Sequence, residues 1–196
     1  MTPTAISEPL TDWHGGWYRR AEHRVSPHHG PRPPGAQVDL VVVHSISLPP
    51  GEYGGTAVES LFMGTLDCTC HPYYAQLQGV RVSSHFFVRR TGGVVQFVSC
   101  DNRAWHAGAS FYRGRSDCND DSVGIELEGL EGLTFEPAQY AALSKLIHAV
   151  GLRYPIAHLA GLEHVAPGRK ADPGPGFDWA RLKSLLRRSA LRFPGD

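Results

Sequence analysis

Four valines and a leucine crowd the six residues Val38 to Val43 (VDLVVV), and this run limits the fold more than any other feature of the chain. It is too short for an amphipathic helix and too apolar and β-branched to lie in water, so it reads as a buried central strand. His44 and Ser45 follow at once, then a Pro-Pro-Gly loop, which predicts that the strand stops at His44 and sets an imidazole on the rim of a sheet. Val123–Leu127 (VGIEL) and Ile156–Ala160 (IAHLA) read as further strands. Ser84–Val98 (SHFFVRRTGGVVQFV) reads as a hairpin turning at Thr91-Gly92-Gly93.

Helices are expected at Thr56–Met63 and from about Thr134, where Pro137 suits a first turn, Tyr140, Leu143, Ile147 and Val150 form one stripe, and Gly151 ends the helix. A last helix from about Asp178 would turn Trp179, Leu182, Leu185 and Leu186 inward and Arg181, Lys183, Arg187 and Arg188 outward. Between Met63 and Gln78, and through the stretch EHVAPGRKADPGPG (163–176), no regular element is expected. Strands mixed with helices point to an α/β fold, a sheet covered by helices. Residues 1–35 read as an extended leading arm, 36–190 as the domain and 191–196 as a tail.

Composition excludes whole classes of function. With 22 glycines and 15 prolines in 196 residues, turns and long connections are frequent, and loops are the expected carriers of function. No apolar run approaches the ~20 residues of a membrane helix. Nineteen basic residues balance nineteen acidic ones, so bulk charge favours neither nucleic acid nor an anionic membrane, and a small ligand is expected with no obligatory protein partner. The N-terminus, MTPTAISEPL, lacks a basic segment followed by an apolar stretch, and a cytosolic location is expected. In that setting Cys68, Cys70, Cys100 and Cys118 are expected to be reduced, with Cys68 and Cys70 as small buried thiols in a loop. A zinc site at Cys68, Cys70 and His71 is set aside because no second ligand pair accompanies it.

Three features exceed what a scaffold needs: His44 after a strand, Glu126 within one, and Lys170-x-Asp172 in a Pro/Gly-rich loop. A strand-end histidine is ordinarily a satisfied surface residue. Glu126 is harder to dismiss, because a carboxylate among Val123, Ile125 and Leu127 needs a cation, a metal or a proton to offset its desolvation.

In order along the chain, VVVHSISLPPGEYGG (41–55), RVSSHFF (81–87), NRAWHAG (102–108), CNDDSVGIELEG (118–129) and APGRKADPGPGFDWARL (166–182) resemble the zinc-dependent N-acetylmuramoyl-L-alanine amidases of the cytosolic AmpD type, which act on 1,6-anhydro-N-acetylmuramyl peptides. The resemblance runs from about Trp17 to Leu186. It implies a mixed central β-sheet flanked by helices, shared with phage amidases and peptidoglycan recognition proteins, and Zn2+ as cofactor. Carried over, it makes His44 and Asp172 zinc ligands, Glu126 the catalytic carboxylate, and Lys170 the cation that meets the developing oxyanion. The bond cut is the amide between the lactyl group of anhydromuramic acid and L-alanine. Ser45, Arg81, Trp105 and His106 are the implied substrate-binding residues. Arg81 is equally readable as a surface arginine, and Trp105 and His85 as core residues.

One position breaks the pattern. The family's second histidine ligand stands ten residues before the aspartate, and here that residue is Leu162, in GLEHVAPGRKADPG. Leucine has no lone pair to offer a metal. His164, two residues on, would lie about 6.5–7 Å away along an extended chain and could serve only if the loop slipped. His158 is a poorer substitute. The chain therefore reads as an amidase of cell-wall recycling that is impaired or rearranged at Leu162, with a catalytically inactive muropeptide-binding protein as the alternative.

Overall fold

The Val38–Val43 run lies inside a six-stranded sheet whose strands we number β1 to β6: Glu22–His23, Leu40–Ile46, Phe86–Val88, Val94–Gln96, Ser122–Glu128 and His158–Gly161. This computed structural model describes residues 12–186 and 191–196. The spatial order is β6-β2-β5-β3-β4-β1. β6, β2, β5 and β3 run parallel, β3 and β4 form the expected antiparallel hairpin, and β1 pairs parallel to β4. The mixed sheet anticipated from the sequence is thus present.

Side chains alternate across a strand, and here the alternation divides structure from chemistry. On one face Val41, Val43, Val123, Ile125 and Leu127 pack beneath two helices, α2 (Pro137–Arg153) and α4 (Trp179–Leu186). The opposite face carries Leu40, Val42 and His44 on β2 and Ser122, Gly124, Glu126 and Glu128 on β5. A six-residue helix, α1 (Ala57–Phe62), covers its β3–β4 end through Leu61, Phe62, Phe87, Val95 and Phe97.

Several local expectations need correction. β2 does not stop at His44 but runs to Ile46, because its pairing with β5 continues through Glu128↔Ile46. α2 passes through Gly151 and ends at Arg153; Pro155 holds Tyr154 extended (φ −118°, ψ 150°) and so stops the helix. Leu185 of α4 is exposed, since α4 buries only Leu182 and Leu186; Arg187 and Arg188 lie outside the described residues. A 3-10 turn occupies Pro72–Leu77. The four cysteines are free thiols, but the buried thiols expected at Cys68 and Cys70 are not found: Cys70 is exposed and Cys68 half-buried, while Cys100 and Cys118 are buried.

The correction with most consequence is a four-residue helix, α3 (Leu162–Val165), where a loop was expected. Gly161 caps it in the extended conformation, and the Gly161 N–H donates to Nδ1 of His164 at 3.0 Å. Leu162 is buried among Leu40, Val42, Ala107 and Ala160.

The stretch before β2 is fixed by Arg32. Its guanidinium donates to the carbonyl oxygens of Cys100, Asn119, Asp120 and Ser122 at 2.8–3.2 Å, which pins residues 30–32 to the start of β5.

Candidate active site

His44 and Glu126 are register partners on adjacent parallel strands and project from the same face. Nδ1 of His44 lies 3.8 Å from Oε1 of Glu126 and 3.4 Å from Oδ2 of Asp172. Asp172 arrives from the loop after α3. That loop is tied to the helix by the Glu163 N–H, which donates to the Asp172 carbonyl, and to β2 by the Ser45 N–H, 3.4 Å from Oδ2. Three residues spread over 128 positions of sequence thus meet at one point, and all three are buried.

Burial sets the electrostatics. It raises the Glu126 carboxyl to about 7, because the opposing pull of His44 and Lys170 is too weak to restore an ordinary value beside Asp172. Oε2 of Glu126 is buried without a hydrogen-bond partner. For His44 burial favours the neutral ring, but Glu126 and Asp172 outweigh it and the pKa rises. Asp172 goes the other way: burial would raise it, and the bond to His44 with the backbone N–H groups lowers it. One carboxyl that holds its proton near neutrality therefore stands next to one that stays ionised.

These residues form the floor of a cleft of about 1040 Å³, also lined by Ser45, Arg81, Trp105, Lys170 and Leu162. Arg81 is exposed at the wall. Trp105 is half-buried and stacks on His28 with centroids 6.0 Å apart, so it serves both core and cleft. His85 is a core histidine as expected: Nδ1 accepts the Gly124 N–H and Nε2 donates to the Asn102 carbonyl. His106 touches the cleft but is spent largely on His44, its Nδ1 lying 2.9 Å from the His44 Nε2.

His44 Nδ1 and Asp172 Oδ2 approach as two ligands of one ion would, but the residue that the family resemblance puts at the third position is Leu162, whose buried side chain lines the same cleft. His164 does not replace it. On a helix, two residues turn a side chain by about 200°, and the assumed extended geometry does not hold. His164 instead caps α3 and packs edge-on against Trp179, 5.8 Å away. His158 faces Tyr112, away from the cleft. No group of three His, Cys, Asp or Glu side chains suited to a metal ion occurs among the described residues. The residues present do not fit a three-ligand zinc ion.

Sequence reasoning missed the supports. Asn119 Oδ1 accepts the N–H groups of both His106 and Ala107. Glu128 anchors the Gly54 and Arg90 backbone through its two oxygens. Asp117 is paired with Arg103. The sequence model of the N-acetylmuramoyl-L-alanine amidases matches residues 34–175, which contain every residue of this cleft.

The chain belongs to that amidase family. The 1,6-anhydro-N-acetylmuramyl-L-alanine amidase AmpD of Citrobacter freundii is 49% identical over 89% of this chain and 95% of its own length. A crystal structure of a selenomethionine derivative of AmpD superposes with a TM-score of 0.86 at 50% identity, over 88% of this chain and 98% of that one. The Escherichia coli amidase AmiD, solved in complex with the substrate anhydro-N-acetylmuramic acid-L-Ala-D-γ-Glu-L-Lys, superposes with a TM-score of 0.56 at 30% identity, over 79% of this chain and 60% of that one. Within that family Leu162 stands out, because His44, Glu126 and Asp172 meet in one cleft beside it.

Proposed function

We propose that this chain binds anhydromuropeptides in the cytosol, places the amide between the lactyl group and L-alanine over Glu126, and hydrolyses it, at a rate depressed by Leu162. The observation that carries the reading is the meeting of His44, Glu126 and Asp172 on the floor of a cleft large enough for a sugar and a short peptide. The AmpD relatives and the AmiD complex support the choice of substrate.

The residues have separable tasks. Glu126, raised to about 7, accepts a proton from water attacking the amide carbonyl and returns it to the departing amine. Its unpartnered Oε2 leaves an acceptor free for that water. The Lys170 ammonium, on the cleft wall, meets the negative charge that develops on the carbonyl oxygen. Arg81 pairs with a carboxylate of the stem peptide, and Trp105 offers an indole face to the sugar or stem. Ser45 holds Asp172 in place through its backbone N–H.

Zinc would be held by His44 and Asp172 alone, and such an ion polarises a carbonyl and acidifies water. Losing one of four ligands from a site worth roughly 10–16 kcal/mol costs about 3–4 kcal/mol, or two to three decades in affinity. The buried isobutyl group of Leu162 favours a second reading, a muropeptide-binding protein without turnover. Mass-spectrometric detection of stem peptide released from anhydromuramyl tripeptide, for this chain and Leu162→His at equal zinc, separates the two. Slow release that the substitution accelerates supports the amidase. Calorimetric binding with no release by either chain, even at saturating zinc, supports the binder.

A further inference from the structure

At Arg81 the cleft adjoins a second, smaller cavity of about 300 Å³. Leu61, Leu77 and Arg81 line both spaces, so the two meet along a shared sill. Leu66, Cys68, Val80 and His28 also line the smaller one, which is therefore largely aliphatic with one guanidinium and one imidazole. Nδ1 of His28 is held by the Val82 carbonyl at 3.1 Å, and the ring stacks on Trp105 of the cleft. Its other edge, Cε1 and Nε2, lies beside Gly64, where a Cβ would come within 3.1–3.2 Å of it. Among the described residues neither His28 Nε2 nor the Arg81 guanidinium has a hydrogen-bond partner.

We propose that this second cavity is the subsite for the end of a stem peptide longer than three residues, taking a small apolar fourth residue with its terminal carboxylate on Arg81 at the sill. The inference rests on the reading of the cleft as an anhydromuropeptide site and adds to it a place for the distal stem.

Charge sets the direction of the stem. In an anhydromuropeptide the carboxyl of the sugar's lactyl group is tied up in the amide to be cut, so every free carboxylate belongs to the peptide. Of the cations that line the cleft, Arg169 donates to the carbonyls of Ala107 and Ala109, and Lys170 is assigned to the reacting carbonyl. Arg81 is left for a stem carboxylate, and the stem runs toward the sill.

Size and polarity set the occupant. A volume at the bottom of the range for small-molecule sites admits one or two residues, not a second muropeptide. Leu61, Leu66, Leu77 and Val80 suit a methyl side chain, whose burial brings about a fourfold gain in affinity. His28 Nε2 is open to a polar atom of the peptide backbone, which would otherwise be desolvated without a partner.

Two ligands test the proposal, anhydromuramyl tripeptide and the same molecule extended by D-alanine, in the full chain carrying Glu126→Gln so that neither is consumed. By calorimetry the tetrapeptide should bind about fourfold more tightly, or better. With Cys70→Ser added, Cys68 is the one thiol that is not buried. At about ten times its Kd the tetrapeptide should slow alkylation of Cys68 by iodoacetamide about tenfold, read by mass spectrometry, and the tripeptide by less than about twofold. Val80→Trp, at a position 37% exposed, fills the cavity and should bring the affinity for the tetrapeptide down to that for the tripeptide. Equal affinities in the Glu126→Gln chain, Cys68 left unprotected by bound tetrapeptide, or a tetrapeptide advantage that survives Val80→Trp each overturns the proposal and leaves the reading of the cleft standing. Should Val80→Trp fail to fold, the affinity ratio and the protection decide. Binding of neither ligand would overturn the reading of the cleft, and this proposal with it.

Discussion

A Cβ atom added to Gly124 would sit 2.5 Å from Cγ of His106. The glycine in the middle of a fully buried strand is therefore a seat for an aromatic ring, and the ring is the one that braces His44. Gly124→Ala must displace His106 or bend β5. Overpacking of this kind costs about 1–3 kcal/mol, to be seen as a lower urea midpoint. The same variant should lose the His44–His106 contact in ring-nitrogen spectra.

Glu126→Gln keeps the shape of the side chain and removes the acceptor of the water's proton. Hydrolysis should fall by about 10²-fold or more, while calorimetric affinity for the muropeptide changes only a few-fold. Where turnover is measurable, the rate should rise with pH through the value of about 7 at which Glu126 ionises, and that rising limb should vanish in the variant.

Arg32 is half-buried with its charge turned on four backbone carbonyls. Arg32→Ala strips all four at once. A loss of about 3 kcal/mol or more is expected, measured by chemical denaturation, because unsatisfied buried acceptors keep their desolvation cost.

His85 is held neutral, its pKa lowered to about 3 by burial and the neighbouring Arg32. Between the ordinary value of 6.5 and about 3 the unfolded chain binds a proton that the folded chain refuses. Stability contributed by His85 is complete above pH 6.5 and is lost as pH falls, at about 1.4 kcal/mol per pH unit. In His85→Gln, the slope of unfolding free energy against pH between 6 and 4 should therefore be less positive by one proton.

Much of this was legible in the sequence, for identifiable reasons. A β-branched run marks β2 because burial on both faces leaves it no polar alternation, the alternating Val123, Ile125 and Leu127 mark β5, and the Thr91-Gly92-Gly93 turn marks the hairpin because Gly92 takes a positive φ of 86°. Pro137 marks the start of α2, which the Glu136–Gln139 capping box then secures. Element ends were less legible. Gly151 looks like a stop, yet Pro155 decides where α2 ends, and β2 extends past Val43 because β5 is there to pair with it. His44, Glu126, Lys170 and Asp172 were recognisable by motif, whereas the Ser122–His106–His44 chain joins residues 16 and 62 positions apart and has no local signature. Gly124 was the available clue, since a lone glycine inside a strand often marks a close approach. His164 was misplaced for a plain reason: nothing in Leu-Glu-His-Val announces one turn of helix, and that turn points the imidazole at Trp179 instead of at the cleft.

On the proposed reading, Leu162 alone separates this cleft from a working amidase. The direct measurement is zinc bound per chain together with stem peptide released from anhydromuramyl tripeptide, for the unaltered chain and Leu162→His side by side. Zinc bound about 10²-fold more tightly in Leu162→His, with a matching rise in released peptide, is the predicted result. Equal zinc binding by the two chains, with neither cleaving the amide, would contradict it.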